Sequence, residues 1–137
     1  MTNHKFVAVL NKKVDSGKIM NALAHMTAGL VGSTENISEM GIIDYQDKDG
    51  GSHLASKHPF IILKAKNSNQ IHSLRENLIE KGVEFASFTE AMTVGSYEEQ
   101  IERSKEMNEE DLEYFGIAFF GKKEVLDELT KKFSLWI

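Results

Sequence analysis

The stretch FVAVLNKKVDSGKIMNALAHMTAGLV, residues 6–31, decides the reading of the fold. Phe6 to Leu10 is a short continuous apolar run bounded by polar residues, the pattern of a strand buried on both faces. Asn11 to Gly17 is polar and holds Asp15 and Ser16, both side-chain types that cap helix starts. From Lys18 to about Val31, Ile19, Leu23, Met26 and Leu30 recur at helical spacing and form one apolar stripe. Gly32 and Ser33 supply a stop. A buried strand followed closely by an amphipathic helix predicts a helix packed on a sheet.

The rest of the chain extends that unit. Ile42-Ile43 reads as a short strand, and Asp47 to Ser52 as a turn-rich tip. Phe60 to Ala65 is a second buried strand. Asn67 or Ser68 can cap a helix from about Asn69 to Lys81, with Ile71, Leu74 and Leu78 inward and Gly82 at its end. Val83 to Phe88 reads as a third strand, and the charged residues 96–111 include an exposed helix. Tyr114 to Phe120 reads as a fourth strand broken at Gly116, Lys122 to Lys132 as a final helix, and Phe133 to Ile137 as a terminal strand. Strands and helices alternate, which predicts a three-layer α/β/α sandwich on a mixed sheet of four to five strands. No linker divides residues 1–137, so one domain is expected.

Composition narrows the functional classes. The 137 residues carry a formal charge of −5, with 27% charged and 41% hydrophobic residues, a globular mixture and not a disordered one. No apolar run approaches the roughly 20 residues of a membrane span. The acidic balance argues against nucleic acid as a partner, because phosphate-backbone binding needs clustered Lys and Arg. The chain contains no cysteine, so thiolate chemistry and Cys-ligated metals are excluded. A cytoplasmic location is expected, with no membrane partner and no cofactor.

The first helix holds the sharpest functional signal. At about 100° per residue, Lys18, Asn21, Ala22, His25, Gly29 and Gly32 gather on a face away from the apolar stripe. Asn21 and His25 are one turn apart, and Lys18 and His25 two turns, so the three can address one point. A helix start offers free N–H groups to an oxygen atom, a lysine adds charge, and an imidazole can move a proton near neutral pH. The plain alternative is a solvated Lys18, an Asn21 bonded to a nearby loop and a packed His25.

The segments Lys5 to Leu10, Ser16-Gly17-Lys18 and Asn21-Ala22-Leu23-Ala24-His25 resemble the opening of type II peptidyl-tRNA hydrolases. That family begins with a strand, a Gly-Lys turn and a helix carrying Gln or Asn and then His. Phe60 to Ala65, Asn69 to Lys81, Tyr114 to Gly121 and Lys122 to Lys131 are similar to its later elements. Gly50-Gly51-Ser52-His53, His58-Pro59-Phe60-Ile61, Ala91-Met92, Gly95-Ser96-Tyr97, Tyr114-Phe115-Gly116 and Phe133 to Trp136 resemble, more closely, a "domain of unknown function two-thousand" group that shares the hydrolase-like fold. The resemblance implies that fold, and it implies Lys18 and His25 as catalytic residues. The hydrolases' acidic residue at the end of the third strand falls near Ser87-Phe88-Thr89, where hydroxyls replace the carboxylate. Their hydroxyl-rich loop has a loose counterpart at Thr93 to Ser96. The resemblance also implies a homodimer, for which Phe133, Leu135, Trp136 and Ile137 offer apolar surface.

Other clusters carry less. His53 and His58 with Asp47 and Asp49 match no tight metal-ligand spacing and read as a solvated turn, so no metal site is expected. Asp47-x-Asp49-Gly50 lacks the rest of a calcium loop. No Gly-x-Ser-x-Gly elbow or nucleotide fingerprint occurs. His53 could instead fold over the first helix and complete a pocket with Lys18 and His25. Two functions follow. One is a hydrolase of small esters or amides, with Lys18 and His25 catalytic and Asn21, Ser52, His53 and Thr89 binding a small-molecule ligand. The other is a non-catalytic ligand-binding or assembly protein that has lost the acidic residue.

Overall fold

The computed structural model describes residues 3–137. Its fold is mixed α/β, with a five-stranded mixed sheet, a separate two-stranded hairpin and four α-helices among the described residues. The strands are β1 (His4–Asn11), β2 (Ile42–Asp44), β3 (Leu54–Ser56), β4 (Phe60–Ala65), β5 (Glu84–Thr89), β6 (Tyr114–Lys122) and β7 (Ser134–Leu135). The helices are α1 (Ser16–Ser33), α2 (Ser68–Glu80), α3 (Tyr97–Lys105) and α4 (Lys123–Leu129).

β1 is continuous in its apolar residues because it is the middle strand of the order β5-β6-β1-β4-β7 and is covered on both faces. Phe6, Ala8 and Leu10 pack in one cluster with Ile19, Ala22, Met26 and Leu30 of α1. Val7 and Val9 pack in a second cluster with Ile71, Leu74 and Leu78 of α2 and Leu126 of α4. Each Val, Leu, Ile, Phe or Met among them contributes about 1.5–3 kcal/mol on leaving water. β1 runs parallel to β4 and antiparallel to β6; the strand pairs β5–β6 and β4–β7 are also antiparallel.

A bulge in β6 prepares the site. Phe88 pairs with Gly116 and Thr89 with Tyr114, so Phe115 is the extra residue on β6. The in-out alternation slips there. Tyr114 and Ile117 join the α2 side, while Phe115 packs in the α1 cluster and Gly116 faces Met26. A Cβ on Gly116 would lie 2.8 Å from Leu10 Cδ2 and 2.9 Å from Met26 Cε. The strand therefore runs through Gly116 unbroken, and the glycine marks the close approach of α1.

Several boundaries differ from expectation. β1 extends over His4 and Lys5 because the ladder with β6 continues past the apolar run, and over Asn11 because that residue pairs with Ala65 of β4. On α1, Ala22 is fully buried and Leu23 only partly so, since the small side chain sits where the helix meets the sheet. α4 ends at Leu129, where the Thr130 hydroxyl bonds back to the Leu126 carbonyl at 2.8 Å. Of the terminal residues, Phe133 is buried and Trp136 packs partly against the α1 cluster, while β7 pairs with β4. Leu135 and Ile137 remain exposed.

Candidate functional site

A cleft of about 740 Å³ opens beside the first turn of α1. That size suits a small ligand. Lys18, Asn21 and His25 line it together, with Asp15 and Gly17 from the turn before them. The opposite wall is Met92, Thr93 and Val94 after β5, with Gln100 from α3; Phe88 and Phe115 lie alongside. The three sequence-predicted residues of α1 thus share one cavity.

The local chain explains the arrangement. Asn11 is fully buried, where its amide nitrogen donates to the Tyr114 carbonyl at 3.0 Å and its oxygen accepts from Lys13 N at 3.0 Å. These bonds turn the chain from β1 into α1. Ile19 N–H donates to the Asp15 carbonyl at 3.0 Å, and no side chain caps the helix. The N–H groups ahead of Ile19 therefore have no helical partner. The first turn of α1 also holds no acidic residue.

The polar side chains of α1 that line the cleft are uncommitted. Among the described residues, the side chains of Lys18, Asn21 and His25 form no hydrogen bond or ion pair with the rest of the chain. The His25 ring lies 5.7 Å from the Phe88 ring at 31°, so one side of the imidazole has an aromatic neighbour. Across the cleft, Thr93 Oγ donates to the Glu90 carbonyl at 2.6 Å and Gln100 Nε2 to the Gly95 carbonyl at 3.2 Å. The Arg103–Glu90 ion pair, 2.7 Å, ties α3 to that wall.

The other sequence candidates lie elsewhere. Ser52 and His53 sit in the β2–β3 hairpin, where Ser52 Oγ donates to Asp44 Oδ2 at 2.9 Å and His53 Nε2 lies 2.9 Å from Asp47 Oδ2. The bond from His53 holds the Asp47 carboxyl below its usual range, and backbone N–H groups at Gly51 and Asp49 act the same way. His53 does not fold over α1, because this pairing draws it into the turn. Thr89 is buried at the start of the turn Glu90–Met92, where its N–H donates to Met92 Sδ at 3.4 Å. Among the described residues, no group of three or more His, Asp or Glu is placed to hold a metal ion. No helix among them is long and apolar enough to cross a membrane.

Residues 4–137 match the family described as "Protein of unknown function (DUF2000)". The chain belongs to this family. The DUF2000 chain is also similar in fold to a solved structure from Agrobacterium tumefaciens str. C58, described as the protein of unknown function Atu0240. The TM-score is 0.83 at 18% identity, over 100% of both chains. No curated protein matches the DUF2000 chain.

The cleft of this DUF2000 chain includes residues that the sequence did not single out as ligands. Asp15 reads in sequence as a capping type, yet its side chain makes no cap bond and lines the cleft. Phe88 and Phe115 read as strand residues, and only the β6 bulge brings Phe115 to the α1 side. Gln100 stands in a charged run that reads as a solvated helix, and it carries no pattern of its own.

Proposed function

We propose that the cleft binds a small carbonyl-containing molecule and hydrolyses its ester or amide bond. The observation that carries the reading is the convergence of Lys18, Asn21 and His25, none committed to an intramolecular polar bond, on one cavity. Lys18 and the free N–H groups of α1 would stabilise the oxyanion as it forms. His25 would take a proton from the attacking water and return it to the leaving oxygen or nitrogen as the carbon–heteroatom bond breaks. Asn21 would orient the water or the carbonyl. Asp15 supplies a carboxylate at the cleft in place of the missing acid near Ser87. Phe88, Phe115 and Val94 offer an apolar wall for the acyl or leaving group.

The placing of α1 on one sheet face and α2 and α4 on the other supports the finer fold reading, a three-layer sandwich of the type II peptidyl-tRNA hydrolase-like kind. One observation favours a second reading, ligand binding without turnover. The His25 ring has no hydrogen-bonding partner to fix its tautomer, as a catalytic imidazole ordinarily has. A panel of small esters and amides separates the two. Hydrolysis that falls about 100-fold or more in a folded His25→Ala variant supports catalysis. Retained ligand binding with no turnover on any substrate supports the second reading. Turnover unchanged in His25→Ala rejects the assigned role.

A further inference from the structure

Helix α3 is built to keep its shape without help from the core. Ser96 and Glu99 form a capping box: Ser96 Oγ accepts from Glu99 N at 3.3 Å, and Glu99 Oε1 accepts from Ser96 N at 3.3 Å. Glu98 and Glu99 stand in the first turn and Arg103 and Lys105 in the last, the signs that the helix dipole favours. Helix α1 is the opposite case. It has no side-chain cap, no acid in its first turn and no base in its last, and its buried residues hold it on the sheet.

α3 is held in place only loosely. None of residues 93–108 is buried. Among the described residues, the one polar bond from α3 to a residue outside that segment is the surface ion pair of Arg103 with Glu90, a kind of contact that contributes little. The two ends are anchored. Glu90 N donates to the Glu113 carbonyl at 2.9 Å, and the Tyr114 hydroxyl donates to Glu109 Oε2 at 2.8 Å. Gly95, with φ at +76°, joins the first anchor to the helix.

One face of α3 is unlike a solvated surface. At about 100° per residue, Tyr97, Gln100, Ile101 and Ser104 fall on one side, and they are the four residues of the helix without charge. Gln100 lines the cleft, so this side begins at its rim. Tyr97 is 69% exposed and Ile101 48%; Val94, on the cleft wall ahead of them, is 54% exposed. The cleft they border has Phe88 and Phe115 along it. An apolar strip therefore starts at the edge of a cavity with an apolar wall, and most of the strip stays in water.

We propose that residues 93–108 are a lid, which closes α3 over an apolar group of the ligand and presses Tyr97 and Ile101 onto it where it lodges against Phe88 and Phe115. The proposal rests on the reading of the cleft as the ligand site and adds the substrate class: the ester or amide carries a large apolar group. Closing α3 removes more apolar surface from water when such a group fills the cleft, so the ligand and the closed state stabilise each other. The helix moves as one piece because its caps travel with it. A closed lid also keeps bulk water out of the cleft.

A single spin label reads the motion, since the chain has no cysteine of its own. Glu102→Cys places a nitroxide on the charged side of α3. The probe is phenylacetamide, an amide with one apolar ring. Ligands of its size bind at millimolar strength or tighter, so about 50 mM fills a competent site. It should shift the amide signals of residues 15–25, and the nitroxide should then broaden those signals more than in the free protein. Tyr97→Ser combined with Ile101→Ser changes two exposed positions, and circular dichroism checks that the variant folds. It should weaken phenylacetamide about tenfold, the loss of roughly 60 Å² of apolar contact, and remove the added broadening. Shifts at residues 15–25 without added broadening, or with binding unchanged in the double variant, overturn the lid and leave the cleft as the ligand site. No shift at residues 15–25 overturns the reading of the cleft itself, and the lid falls with it.

Discussion

Replacing Gly116 by alanine tests the packing that forms the site. The new methyl would lie 2.8 Å from Leu10 Cδ2, 2.9 Å from Met26 Cε and 3.2 Å from the Val9 carbonyl oxygen. Leu10 and Met26 are each 2% exposed, so their side-chain ends have little room to withdraw. Either α1 moves outward or both side chains leave their preferred rotamers. Overpacking of this kind costs about 1–3 kcal/mol. For a chain of this length each kcal/mol shifts Tm by about 3–5 °C, so a fall of roughly 5–10 °C is expected. Urea unfolding should show a lower midpoint with an unchanged slope. Gly32→Ala is the control: a Cβ there meets nothing within 4 Å, and the exposed helical position should gain up to about 1 kcal/mol. A Gly116→Ala protein as stable as wild type would refute the close approach of α1 to β6.

Asn11→Ala should cost about 1–3 kcal/mol in urea unfolding, because it strands the buried Tyr114 carbonyl and frees the turn into α1. The corner around Glu109 should depend on pH. Burial pushes the Glu109 carboxyl up. The Tyr114 hydroxyl and His72 Nδ1, each 2.8 Å from its Oε2, and the charge of Arg75 outweigh that and hold it below the usual glutamate range. The folded form thus keeps its carboxylate to lower pH than the unfolded chain. The contribution is full above the unfolded value of about 4.5 and is lost as pH falls through the depressed folded one. An acid titration followed by NMR should show residues 109–114 loosening late, and Glu109→Gln should abolish that transition.

The sequence displays the fold where a local pattern and the tertiary environment agree. The Phe6–Leu10 run is continuous because both of its faces are covered, and the stripe Ile19, Met26, Leu30 is buried as its period requires. The pattern misleads where a neighbour sets the residue. Gly116 resembles a strand break, but its missing side chain makes space for Met26. Leu54–Ser56 is hidden because no face of the hairpin is buried, so no alternation marks it. Helix geometry alone places Lys18, Asn21 and His25 together. The wall they face comes from β5, α3 and a bulge, contacts between distant segments that no local spacing records. His53 is misplaced in the sequence reading because its partner, Asp47, lies in the same turn.

The central claim is that the cavity at the start of α1 is where this protein meets its ligand. NMR shift mapping of the labelled chain against a library of small esters, amides and carboxylates measures this directly. Binders should perturb Asp15 to His25, Phe88, Thr93 and Phe115 together, and Lys18→Ala should weaken them about tenfold. Binders that map to other surfaces, or that Lys18→Ala leaves unchanged, would contradict it.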